Sequence, residues 1–388
     1  MPDNPFIPSF GVSPLYLAGR DAALDEVRQV SLNLARVDYS RASLIIGQRG
    51  IGKTVLLNAV EDAAREDDWL MVQATAAKGF LGRLVVEQLL PLLAELKPDH
   101  AKVTGELSVG IGVATAGITI EGAEQSPTVA SFRNTVFAIC EAAPERGLLF
   151  TIDEINTRAR DELEEFATVY QHAIREGLNV ALVMCGIPAS LSPMLSKDAA
   201  ALTFLNRANR VDIDLLPLHV AKTAFRETIA IRGTRTATEE TIDFMARTAK
   251  GYPFAIQEVG NRAWDVNPEA REITLADAEA VRDAAIQAMY DSVLRPIWRA
   301  LPDRMRDILR VLARDPEIRT SAMAKEIGAT ATAMGGLYQR LIETGVAVRA
   351  ERGRVAITIP YLAAYVRSLD VADDEGRDRL AILDEYDD

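Results

Sequence analysis

Two cysteines and three histidines among 388 residues leave little room for thiol or metal chemistry. Cys140 and Cys185 lie in apolar surroundings and read as buried thiols of a reducing compartment, with no disulfide framework. His100, His172 and His219 are scattered without metal-ligand spacing. No run of 18 apolar residues occurs, and Met1-Pro2-Asp3-Asn4-Pro5 carries no basic region ahead of an apolar stretch. A membrane span and a signal peptide are therefore not expected, and the expected location is the cytoplasm. Basic charge is in deficit too. The 43 Lys/Arg meet 56 Asp/Glu, and a net charge of −13 argues against nonspecific nucleic-acid binding by the whole molecule.

What is present is the composition of an ordinary globular protein, 48% hydrophobic and 26% charged, long enough for two or three domains. The charge is uneven. Arg295 to Asp370 holds 13 Lys/Arg against 8 Asp/Glu, a net of +5, whereas Val371 to Asp388 holds 2 against 8, a net of −6. A basic segment thus lies between an acidic body and an acidic tail.

The most informative run is Gly47-Gln48-Arg49-Gly50-Ile51-Gly52-Lys53-Thr54. It fits G-x-x-x-x-G-K-[ST], the phosphate-binding loop. Ala42–Ile46 before it is a short apolar strand, and the run from Val55 to Val60 opens a helix. Glycines let the backbone curl so that its N–H groups, together with the positive end of the helix, face a phosphate. Lys53 would reach the β- and γ-phosphates of ATP, and the Thr54 hydroxyl would hold Mg²⁺. About 100 residues later Leu148–Ile152 forms a second apolar strand, buried on both faces as in a parallel sheet, and Asp153-Glu154 follow at its end. Asp153 suits the magnesium shell. Glu154 suits activation of the attacking water by accepting its proton.

Strands also read at 69–72, 180–184 and 211–215, alternating with helices. The expected fold is therefore an α/β parallel-sheet core. Residues 1–14 read as an extended arm and 15–215 as the core. Leu107 to Ile120 alternate with period two, so a β-hairpin over 102–121 is expected as an insertion, either an added sheet edge or a partner-contact device. Residues 216–294 are purely helical and read as a lid. Within 295–370, three helices precede a two-stranded hairpin, the layout of a winged helix-turn-helix. Residues 371–388 form the acidic tail.

Residues 15–290 resemble an AAA+ ATPase of the group shared by Orc/Cdc6-like initiators, transposition-helper ATPases and STAND signalling ATPases. The resemblance rests on Leu17-Ala18-Gly19-Arg20, the 47–54 loop continuing into Val55, Leu148–Glu154, Arg207 and Arg210 before 211–218, and Gly251-Tyr252-Pro253. It implies that the segment containing Leu17, Gly19 and Arg20 lies against adenine, that Pro253 belongs to a Gly-x-Pro nucleotide contact, and that Asp153 and Glu154 are the Walker B pair. It also implies that Arg207 or Arg210 can act as a finger on a neighbouring subunit, hence nucleotide-dependent self-assembly. Where such proteins place a polar sensor, this chain has Cys185-Gly186.

The C-terminal unit suggests double-stranded DNA as a partner. Thr332, Tyr338, Gln339 and Arg340 lie on the expected recognition helix, and Arg349, Arg352 and Arg354 at the hairpin. The small residues Ala331, Ala333, Gly335 and Gly336 suit close packing equally, and in STAND proteins a winged helix latches the ATPase core. The sequence thus supports a nucleotide-controlled switch on DNA, or a signalling or defence ATPase with an internal latch. Either would answer to a regulatory protein.

Overall fold

The computed structural model describes residues 4–9, 11–33, 42–97, 127–188, 205–350 and 353–375. The hairpin expected over 102–121, Arg352, and the tail beyond residue 375 lie outside the described residues. The chain divides into two compact units: Ala22–Ile46 with Leu56–Asp212, and Met1–Asp21 with Gly47–Val55 and Ile213–Asp388.

The first unit is built on one parallel sheet. Its strands are β1 (Ala42–Ile46), β2 (Leu70–Thr75), β3 (Leu148–Ile155), β4 (Val180–Gly186) and β5 (Asn209–Asp212), in the order β2-β3-β4-β1-β5. Helices α1 (Asp21–Val27), α2 (Lys53–Glu66), α3 (Phe80–Arg83), α4 (Leu90–Leu96), α5 (Pro127–Ala142) and α6 (Arg160–Arg175) alternate with the strands. Every residue of β1 and β4 is buried, as expected for strands covered on both faces. The Phe166 ring packs 5.4 Å from Phe132 and 5.2 Å from Phe150, joining α5, β3 and α6 in one apolar layer. Glu61 of α2 is buried beneath this sheet, accepting from the Thr151 hydroxyl at 2.6 Å, and burial raises its pKa.

Several strand ends differ from the sequence reading: β2 and β3 run on to Thr75 and Ile155, past 72 and 152. β4 continues through Cys185 and Gly186, which pair with Ile45 and Ile46. β5 runs Asn209–Asp212 instead of 211–215, because Ile213 and Asp214 turn their carbonyls toward Gly47 and Arg20.

The second unit is mainly helical. Helices α7 (Leu218–Ile231), α8 (Glu239–Ala249), α9 (Pro253–Val266) and α10 (Leu275–Met289) pack together, and a short parallel pair joins β6 (Thr236–Ala237) to β7 (Glu272–Ile273). The arm is anchored here. Phe6 lies against Gly260, where a Cβ would come 2.3 Å from its ring, and the Asn4 amide donates to the Asn261 carbonyl at 3.0 Å. Then follow α11 (Arg295–Ala300), α12 (Asp303–Arg314), α13 (Thr320–Glu326), α14 (Ala331–Glu343), the antiparallel pair β8 (Ala347–Ala350) and β9 (Arg354–Ile357), and α15 (Leu362–Glu375). The first residues of the expected acidic tail therefore belong to α15. Among the described residues no helix is long and apolar enough to cross a membrane.

Candidate functional site

The loop Gly47–Val55 packs with the helical unit. Gly50 and Gly52 have φ of +77° and +92°, the left-handed region that glycine enters without strain. Gly47 has no room for a side chain: a Cβ would come 2.6 Å from the Ile213 carbonyl oxygen. The loop runs into α2, whose first residues are Lys53 and Thr54. Lys53 Nζ donates to the Gln48 carbonyl at 2.7 Å, and Arg49 and Thr54 are exposed. Left-handed glycines before a 14-residue helix, with an ammonium and a hydroxyl at its first turn, fit a phosphate group. Gln48 Oε1 is buried without a hydrogen-bond partner among the described residues, a further sign of a polar ligand at the loop.

Arg20 ties the loop to the segment after β5. It is 7% exposed, and its guanidinium donates to the carbonyls of Ile51 at 2.9 Å and Asp214 at 2.8 Å. It is a bracket that holds the loop. Burial lowers its pKa, with the Asp214 charge opposing. Gly19 packs on α7, where a Cβ would come 2.5 Å from Val220, and Leu17 is half-buried. An Arg20→Met variant would leave both carbonyls without their charged donor. The expected loss is about 2–4 kcal/mol of stability, from two hydrogen bonds to a charged group. Urea unfolding measures it, and a change under about 0.5 kcal/mol would refute the bracket.

The helical unit also meets the loop at Gly251-Tyr252-Pro253. A Cβ on Gly52 would come 3.9 Å from Pro253 Cγ, and one on Gly50 would strike Tyr252 Oη at 1.7 Å. Gly11 of the arm is close as well, its built Cβ 3.9 Å from Thr54 Cγ2. The sequence marked Gly251 and Pro253, but nothing in it singled out Tyr252 or Gly11.

In the sheet unit, Asp153 and Glu154 stand at the carboxyl edge. Ile46 and Ile155 both pair with Gly186, so β1 and β3 end level. Between Ile152 and Ile155 the register with β4 shifts, leaving an extra residue in β3 where the two acids lie. Such a bulge re-aims side chains. Glu154 has φ +55°, a costly conformation for a non-glycine residue and one that clusters at functional sites. It is held there: its N–H donates to Asp153 Oδ1 at 2.7 Å, and its carbonyl accepts from Asn156 Nδ2 at 2.8 Å. The same Asn156 amide reaches the Ala76 carbonyl at 3.0 Å, tying the bulge to the segment after β2. The role of Asn156 was not visible in the sequence. Cys185 is fully buried within β4. Arg207 and Arg210 are exposed, Arg210 on the edge strand β5.

The residues selected for DNA reading separate. Tyr338 is corrected to a core residue: it is 8% exposed and its hydroxyl donates to the Thr320 carbonyl at 3.3 Å. Its phenol belongs to the packing of α14 on α13. Arg354 pairs with Glu317 and is mostly covered. Arg349 is exposed and donates to Gln339 Oε1 at 2.8 Å, and Arg340 is exposed on α14 with Thr332.

Residues 16–183 match the family model described as an AAA ATPase domain. Residues 291–366 match one described as a domain of unknown function, DUF8462. No curated protein matches the chain by sequence. Among solved structures, the fold is similar to the Walker-type ATPase PABY2304 of Pyrococcus abyssi, at 15% identity, over 90% of this chain and 96% of that one, with a TM-score of 0.61. It is also similar to the ORC2 protein of Aeropyrum pernix in its ADP form, at 14% identity, over 94% and 96% of the two chains, with a TM-score of 0.53.

Proposed function

From a chain that has the P-loop AAA+ fold, with an AAA ATPase domain over residues 16–183, we propose a magnesium-dependent ATPase that works as a nucleotide-controlled switch. The observation that carries this is the loop itself, with left-handed Gly50 and Gly52 opening α2 at Lys53 and Thr54. Its amides and Lys53 hold the phosphates. Thr54 and Asp153 would hold a magnesium ion, which would supply positive charge to the phosphoryl oxygens. Glu154 accepts a proton from the attacking water. Phosphate release by the purified chain, with and without magnesium, tests this reading, and no release above that of a Lys53→Ala control would refute it. Arg207 and Arg210 are the finger candidates in a nucleotide-dependent assembly.

The switch has a physical route within the helical unit. Tyr252 and Pro253 touch the loop, and a few residues earlier the Thr248 carbonyl accepts from the Tyr361 hydroxyl at 2.6 Å. Lys250 Nζ lies 4.5 Å from the centre of the Tyr361 ring, and both residues are left-handed, with φ of 49° and 65°. Nucleotide at the loop would therefore bear on the segment that follows β9.

The output is duplex DNA, read by the α12–β9 segment as a winged helix. Arg340 and Arg349 are the exposed cations that fit phosphate contacts. A double reversal, Arg340→Glu with Arg349→Glu, is expected to weaken duplex binding about tenfold or more at 100 mM salt and to flatten its salt dependence. A gel-shift titration over salt measures both, and unchanged binding would remove DNA from the proposal. The Tyr361–Thr248 contact favours a second reading, in which the C-terminal segment is an internal latch of a signalling or defence ATPase. That reading predicts no duplex binding by the wild-type chain.

A further inference from the structure

α8 ends at Ala249, and the next two residues, Lys250 and Gly251, are both left-handed. Gly251 cannot be replaced without disruption: a Cβ would come 2.1 Å from the Leu216 carbonyl oxygen, and the Gly251 carbonyl accepts from Leu216 N at 2.9 Å. α9 then starts at Pro253, whose ring sets the helical φ at its first position. Tyr252 sits between these constraints. Its N–H donates to the Ala249 carbonyl at 2.9 Å, and its own carbonyl accepts from Ile256 N at 3.0 Å. The backbone is thus fixed on both sides, and with it the direction of the side chain.

That side chain ends on the phosphate loop. The ring is 1% exposed, and Oη occupies the place a Cβ on Gly50 would take. The hydroxyl is buried and has no hydrogen-bond partner among the described residues. A phenylalanine would fill the same space without burying a polar atom, so packing does not account for the oxygen. The pKa of the phenol is pushed up to about 12 by burial, with Arg49 opposing, so at neutral pH it is an O–H donor. A donor buried against a glycine of this loop matches a negatively charged oxygen acceptor, which a phosphoryl group supplies.

We propose that Tyr252 is a nucleotide-binding residue, whose hydroxyl donates to a phosphoryl oxygen held by the Gly47–Thr54 loop. The assignment rests on the nucleotide reading of that loop and adds a contact from the helical unit. Tyr252 thereby makes the α8–α9 connection respond to phosphate and not only to the base. Lys250 of the same connection and Thr248 at the end of α8 meet Tyr361.

The test is Tyr252→Phe in the full chain, with calorimetric titration of magnesium–ADP and thermal melting without nucleotide. The variant is expected to bind ADP about tenfold or more weakly, the scale of one hydrogen bond to a charged group. It is expected to melt at the same or a higher temperature than wild type, because an unpartnered buried hydroxyl has been removed. A lower melting temperature with weaker binding would mark a packing role and overturn the assignment. ADP affinity within twofold of wild type would overturn it as well, leaving the nucleotide reading intact. No binding of ADP by the wild-type chain would overturn both.

Discussion

Lys53→Ala is expected to weaken binding of magnesium–ATP by about 100-fold or more. Lys53 is the side-chain ammonium at the start of α2, and its Nζ lies folded onto the loop, donating to the Gln48 carbonyl at 2.7 Å. That contact is local, so the ammonium can exchange a carbonyl for phosphate oxygens without rebuilding the fold. Charge-assisted hydrogen bonds are worth roughly twice neutral ones, and a 100-fold loss corresponds to about 2.7 kcal/mol. The fold should survive the change. Lys53 is half-buried at a helix start, and alanine is the best helix former. Calorimetry with ATP and circular dichroism on the same samples separate the two effects. A folded Lys53→Ala protein that binds ATP within threefold of wild type would remove the phosphate role from this loop.

Glu154→Gln is expected to leave ATP binding within about threefold and to lower the rate of hydrolysis by about 100-fold or more, the range of one general base. Glutamine keeps the length and shape of the side chain and loses only the basic oxygen. The backbone frame is independent of that oxygen. The Asp153 carboxylate accepts the residue's N–H and Asn156 donates to its carbonyl, so φ near +55° is retained in the variant. Single-turnover phosphate release, with nucleotide affinity measured alongside, distinguishes a lost base from a lost site. Full hydrolysis by the variant would reject Glu154 as the base. Weak binding with proportionate loss of rate would show that the bulge had collapsed.

The elements most legible in advance were those whose cause is local. The apolar runs of β1, β3 and β4 are buried on both faces, as their lack of alternation predicts. Helical periodicity located α8 and α10 to within a residue or two, and Gly50, Gly52 and Lys53 marked the loop through their spacing alone. Strand ends were less visible. β5 stops before Ile213, whose carbonyl lies close to Gly47, and the Asp214 carbonyl accepts from Arg20, residues far away in the chain. Tyr338 has the helical position of a surface reader, yet it packs under α13. Arg354 belongs to a basic hairpin tip, yet its charge pairs with Glu317.

By itself the sequence determined a glycine-rich loop ahead of a helix, an acid pair at the end of a buried strand, and the order of sheet, helices and terminal hairpin. These depend on residue types a few positions apart, and backbone sterics and side-chain periodicity act at that range. Only the tertiary structure decided that Arg20 is a bracket, that Glu154 sits on a strained bulge, and that Tyr252 meets Gly50 about 200 residues distant. Each is a contact between segments brought together by burial, and burial is set by how whole elements pack rather than by any short run of residues.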